Sequence, residues 1–153
     1  MKKIWKFIIS ILIPLGVGAI SGFITKGSIG IYKTLERPPL SPPGYIFPII
    51  WTILYILMGI SSYLIYVSDS PERKEALKIY IIQLIVNVIW PIIFFNYQLY
   101  LISFTWIMIL WVLIVKMIME FKKINKWAAL LQIPYLLWTT FATYLTLGVY
   151  LLN

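Results

Sequence analysis

The sequence contains no cysteine and no histidine. Without thiols there is neither a disulfide nor a thiolate nucleophile, and without imidazole the commonest metal ligand and proton shuttle is missing. Charge is scarce as well. Of the 153 residues 12% are charged and only five are acidic, where a soluble domain carries about 25% charged residues. Four stretches hold no Asp, Glu, Lys or Arg: Phe7 to Thr25, Pro38 to Ser68, Ile79 to Val115 and Trp127 to Asn153. The composition is instead 61% hydrophobic, which rules out an ordinary soluble domain and identifies a membrane protein.

A crossing needs about 20 residues at ~1.5 Å rise to span ~30 Å of hydrocarbon. The run from Ile79 to Val115, roughly 55 Å as a helix, is too long for one crossing. It must turn, and the polar break Asn96-Tyr97-Gln98 lies at its centre. The sequence therefore predicts an all-α membrane protein, one domain over 1–153, built as a bundle of five transmembrane helices. The expected spans are about 5–25, 45–67, 77–95, 99–119 and 127–150, with a proline-rich loop at 26–44. An amino-terminal Met-Lys-Lys before an apolar run also resembles a signal peptide, but this run exceeds the roughly 7 to 15 apolar residues of such a region, so it is read as a retained span.

Five crossings gather Lys2, Lys3, Lys6, Arg73, Lys74, Lys78, Lys116, Lys122, Lys123 and Lys126 on one side, against Lys26, Lys33 and Arg37 on the other. The positive-inside rule then places the N-terminus in the cytoplasm and the proline-rich loop outside. A formal charge of +8 would raise nucleic-acid binding in a soluble protein. Here the basic residues flank apolar runs, so membrane lipid is the expected partner and nucleic acid is not. The lack of an arginine-rich leader points to the cell membrane of a bacterium.

Ser70-Pro71 followed by acidic residues reads as a capped helix start. Gly18 and Gly22, in GxxxG spacing, allow close approach of another helix, within the monomer or in a dimer. Pro14, Pro48, Pro91 and Pro134 fall in or near the ends of four spans, where kinks would open space between helices. The loop divides into an apolar half, Ile29 to Leu35, able to lie on the bundle, and the pairs Pro38-Pro39 and Pro42-Pro43, which stiffen it into a flap.

On helices, Phe47, Trp51, Tyr55 and Met58 share one face, as do Gln83, Asn87, Trp90 and Phe94, and Tyr135, Trp138 and Ala142. Interfacial anchoring accounts for Trp5, Trp127 and Tyr150, but less well for aromatics grouped with amides several residues into a span. Buried amides need partners, so Gln83 and Asn87 are either interhelical glue or part of a pocket. A pocket walled by Trp51, Trp90 and Trp138 under a rigid flap would suit a planar, mostly apolar molecule.

At these residues the sequence resembles the translocator protein family, also called tryptophan-rich sensory proteins or peripheral-type benzodiazepine receptors. The matching positions are Tyr32, Arg37-Pro38, Pro42-Pro43, Phe47, Trp51, Leu54-Tyr55 and Met58-Gly59. A second block follows at Asn87, Trp90 and Phe94-Phe95, and a third at Pro134-Tyr135-Leu136, Trp138, Phe141-Ala142 and Leu145. The resemblance implies a five-helix, often dimeric protein that binds porphyrins and isoquinoline or benzodiazepine ligands. It also implies that Tyr32, Pro42, Phe47, Trp51, Tyr55, Gln83, Asn87, Trp90, Phe94, Tyr135, Trp138 and Ala142 serve ligand binding. In some bacterial members light-dependent porphyrin breakdown would fall to Trp51 and Trp138.

The chain departs from the family pattern in Leu40 between the proline pairs, in Pro91 after Trp90 and in Thr146, and it has no Lys or Arg after Lys126, which removes the C-terminal sterol consensus. The expected function is that of a receptor or carrier for a protoporphyrin-like tetrapyrrole, as a homodimer, with no resident cofactor or metal. Without His or Cys, the metal-free ring is a better ligand than haem. Two alternatives stand beside it: a photochemical enzyme whose reactivity comes from porphyrin, light and oxygen, and a small-molecule transporter, which no mid-span charge supports.

Overall fold

The computed structural model describes residues 2–153, and these form helices and turns without a strand. In chain order the helices are α1 (Lys2–Thr25), α2 (Ile46–Tyr66), α3 (Arg73–Pro91), α4 (Tyr100–Lys122), α5 (Lys126–Leu131) and α6 (Ile133–Leu152). With α5 and α6 counted as one crossing, five segments are long and apolar enough to span a membrane, the last running Lys126–Leu152. The five expected spans are all present, each within a few residues of its predicted ends.

The last crossing is interrupted at Gln132, a break the expected span of 127–150 did not contain. Its cause is local. Pro134 has no N–H to give the carbonyl four residues back and disfavours helical geometry in the residue before it. The helix restarts with Pro134 in its first turn, where the missing donor is harmless. Pro91 acts similarly at the end of α3. The chain beyond it widens into a π turn at Ile92–Asn96, closed by the Tyr97 amide donating to the Ile92 carbonyl at 3.2 Å. The helix start expected at Pro71 lies instead at Arg73. The Ser70 hydroxyl still receives an amide, that of Glu72 at 3.1 Å, but this closes a preceding turn.

Helices α1 and α2 close against each other near the lysine-bearing N-terminus of α1 and the C-terminus of α2, and part towards the other end. Phe7 meets Tyr63 edge-on with centroids 5.2 Å apart. A Cβ on Gly59 would lie 2.5 Å from the Ile11 Cα and 2.8 Å from the Ser10 carbonyl oxygen, so only glycine permits this approach. Further along, Gly18 abuts the ring of Tyr55, and beside Gly22 there is nothing within 4 Å. The GxxxG pair thus serves a contact inside the chain at one residue and open space at the other. Elsewhere α4 packs on α3, α5 and α6, and α2 on α5. Met58, Ile65, Ile114, Met117, Phe121 and Ala128 make a solid core in the lysine-rich half, where the Ser61 hydroxyl donates to the Ala128 carbonyl at 2.7 Å.

The apolar half of the loop forms a short 3-10 helix, Ile29–Thr34, which lies against the π turn and buries Tyr32. The proline-rich half is fastened to the far end of α6. The Asn153 side chain accepts the Glu36 amide at 3.2 Å and donates to the Glu36 carbonyl at 2.7 Å. The Tyr144 hydroxyl donates to the Pro39 carbonyl at 2.6 Å, and Pro38 packs on Gly148. Between the proline pairs Leu40 adopts φ 71° and is exposed, a left-handed backbone that costs a side-chain-bearing residue roughly 1–2 kcal/mol. The Ser41 hydroxyl donating to the Pro38 carbonyl at 2.7 Å closes that turn.

Candidate ligand pocket

Because α1 and α2 part, and α2 lies against α5 rather than along α6, the loop-side half of the bundle encloses a cavity of about 890 Å³. Its wall on α2 is Phe47, Trp51 and Tyr55, every fourth residue of one face, with Pro48 and Thr52 beside them. The α3 wall is Asn87, Trp90 and Pro91, extended by Phe94 and Phe95 in the π turn. From α6 come Ala142, Leu145, Thr146 and Val149, and from α1 Leu15, Gly18, Ala19, Ser21, Gly22 and Thr25. The roof is Ile29, Gly30, Tyr32 and Lys33 with Ser41, Pro43, Gly44 and Tyr45.

The rings hold one another in place. Trp51 stacks on Tyr55 at 5.6 Å and 29°, and Trp90 on Phe94 at 5.1 Å and 28°, while Tyr32 meets Phe47 edge-on at 5.1 Å. The Tyr32 hydroxyl donates to the Pro42 carbonyl at 2.6 Å, tying the roof to the second proline pair. The Trp90 indole nitrogen is buried without a protein partner, a donor left for a ligand or water.

Of the predicted site residues, Tyr32, Phe47, Trp51, Tyr55, Asn87, Trp90, Phe94 and Ala142 line this one cavity. The other predicted residues lie outside its wall. Pro42 supports the roof through its carbonyl. Trp138 stands behind Phe47, centroids 5.8 Å apart, so it is not the third tryptophan wall. Gln83 and Tyr135 are buried beneath the floor. There the Tyr55 hydroxyl donates to Asn87 Oδ1 at 2.6 Å, Asn87 Nδ2 to the Tyr135 hydroxyl at 2.6 Å, and that hydroxyl to Gln83 Oε1 at 2.7 Å. This chain crosses from α2 through α3 to α6 and back, so Gln83 is glue and Asn87 is both glue and wall.

Replacing Asn87 by leucine strands the Tyr55 hydroxyl and removes the donor to Tyr135. The expected loss is about 1–3 kcal/mol, read as a lower thermal midpoint in detergent, with Tyr55→Phe losing less.

The α1 wall and the outer half of the α6 wall escaped the sequence reading. The small and hydroxyl-bearing set Gly18, Ser21, Gly22 and Thr25, on one face of a helix otherwise rich in isoleucine and leucine, was the available signal. The lining residues Ala19 and Gly22 of α1 and Pro48 and Thr52 of α2 are exposed, as are Lys33, Gly44 and Tyr45 of the roof, so the mouth lies between the two helices and reaches up to the roof's edge. The inner end is closed by Leu15, Tyr55, Asn87 and Ala142.

Residues 10–151 match the sequence profile of the TspO/MBR family. The chain is 36% identical to the tryptophan-rich protein TspO of Chlorobaculum tepidum, over 99% of this chain and 98% of that one. It is 30% identical to the tryptophan-rich sensory protein of Cereibacter sphaeroides, over 100% and 95% of the two chains. With the translocator protein of Ovis aries it shares 35% identity, over 74% of this chain and 69% of the sheep protein. A five-crossing bundle, a match across most of its length and full-length bacterial relatives place this chain in the TspO/MBR family of multi-pass membrane proteins.

Proposed function

We propose that this protein is a receptor or carrier that binds a porphyrin of the protoporphyrin type, and isoquinoline- or benzodiazepine-like molecules, in the loop-side cavity. The observation that carries this reading is the cavity itself. Its volume of about 890 Å³ is near the upper end of the roughly 300–1,000 Å³ of small-molecule pockets. Trp51, Trp90 and Phe94 supply ring faces for a flat apolar body, and Trp90 supplies an unpaired donor. The lysine-rich helix ends support an orientation with the N-terminus in the cytoplasm and the mouth in the outer half of a bacterial cell membrane.

The test is titration of the detergent-purified protein with protoporphyrin in the dark, following tryptophan fluorescence. Saturable quenching, lost by about tenfold or more in affinity on Trp90→Ala, is the expected result; quenching no different from that of free tryptophan in micelles would refute it.

Trp51 in the wall favours a second reading, in which the bound ring is broken down by light and oxygen with this indole as a participant. Trp138 would take part only across Phe47. A light-dependent product that disappears in Trp51→Phe, at unchanged dark binding, would separate this from simple binding.

A further inference from the structure

Lys33 is the only charged residue in the cavity lining among the described residues. It sits in the last turn of the 3-10 helix Ile29–Thr34, directly after Tyr32, whose buried ring and Pro42 bond fix the backbone from which Lys33 reaches the mouth. Among the described residues the one ion pair is Lys123 with Glu120, so the Lys33 ammonium has no carboxylate partner. Nearby, the Arg37 guanidinium is stacked 4.5 Å from the centre of the Tyr32 ring, which leaves a second positive charge behind the same roof. An apolar chamber with a free cation at its rim matches a molecule with a flat apolar body and an acidic end.

We propose that Lys33 selects for ligands bearing a carboxylate, which it pairs with at the cavity mouth while the ring system lies between Trp51 and Trp90. This rests on the porphyrin reading above and narrows it to the acid form. Lys33 is exposed, so the ammonium stays hydrated when the cavity is empty and loses little water when paired. A pair in that setting is worth a modest gain, roughly three- to tenfold in affinity, and is weakened by salt.

The experiment compares protoporphyrin with its uncharged dimethyl ester, in a non-ionic detergent, on wild type and Lys33→Gln. The expected result is roughly three- to tenfold tighter binding of the acid by wild type, shrinking as salt rises, and an ester affinity unchanged by Lys33→Gln, which removes the preference. Acid and ester binding equally to wild type would overturn the role of Lys33 and leave the porphyrin pocket standing. Binding of neither would instead sink the pocket reading. Phosphatidylglycerol added to the micelles supplies a competing anion from lipid: a preference that survives it supports the assignment to ligand, and one that vanishes reassigns Lys33 to the headgroup region.

Discussion

Gly22→Trp is expected to abolish porphyrin binding in a protein that still folds. Gly22 lines the mouth, and a Cβ added there meets nothing within 4 Å. The indole is expected to turn into the cavity mouth between α1 and α2, where no neighbour meets its Cβ and neither helix need move. The substitution also removes a glycine from a helix interior, which is neutral or mildly favourable for the helix itself. The bound ring loses its place, and affinity falls by about 100-fold or more, which is about 2.7 kcal/mol. Porphyrin titration beside a thermal melt reads both halves of the prediction. An unchanged midpoint with binding within threefold of wild type would mean that the ligand sits somewhere other than this cavity.

Gly59→Val has the opposite profile. Its Cβ would fall on the backbone of Ile11 and Ser10, which cannot yield as a side-chain tip can. Helix α1 must move away from α2 where the two backbones approach most closely. The expected cost is about 3 kcal/mol, seen as a large drop in thermal midpoint for ligand-free protein. Gly22→Ala, on the same helix pair, should leave the midpoint within about 0.5 kcal/mol of wild type. If the two variants melt alike, the helices do not cross at Gly59.

The five crossings were legible because charge-free runs and membrane thickness leave little freedom, and the turn at Asn96 to Gln98 followed from the length of one run. The break at Gln132 was harder to read. Pro134 is plain in the sequence, but a proline near a span end is compatible with a helix that starts there, bends there or restarts there. The aromatic faces of α2 and α3 could be read because a 3.6-residue period groups Phe47 with Trp51 and Tyr55. Periodicity gives the face of a helix and not the depth behind it, which is why Trp138 was expected in the wall that Phe47 occupies. The contribution of α1 is absence of bulk, and glycines that leave room look the same in sequence as glycines that fill a contact.

The mouth between Ala19 and Gly22 on one helix and Pro48 and Thr52 on the other would determine how a ligand enters the cavity. With the proline-rich loop clipped to α6 through Asn153, Tyr144 and Gly148, the roof is left unclipped on the side above α1 and α2. A flat apolar acid of the proposed kind would dissolve in the bilayer with its carboxylate at the headgroups and would reach such a mouth by diffusing in two dimensions. The quantity that governs occupancy is then its mole fraction in lipid. Apparent affinity referred to the aqueous phase should weaken in proportion to the lipid added, while affinity per mole of lipid stays constant.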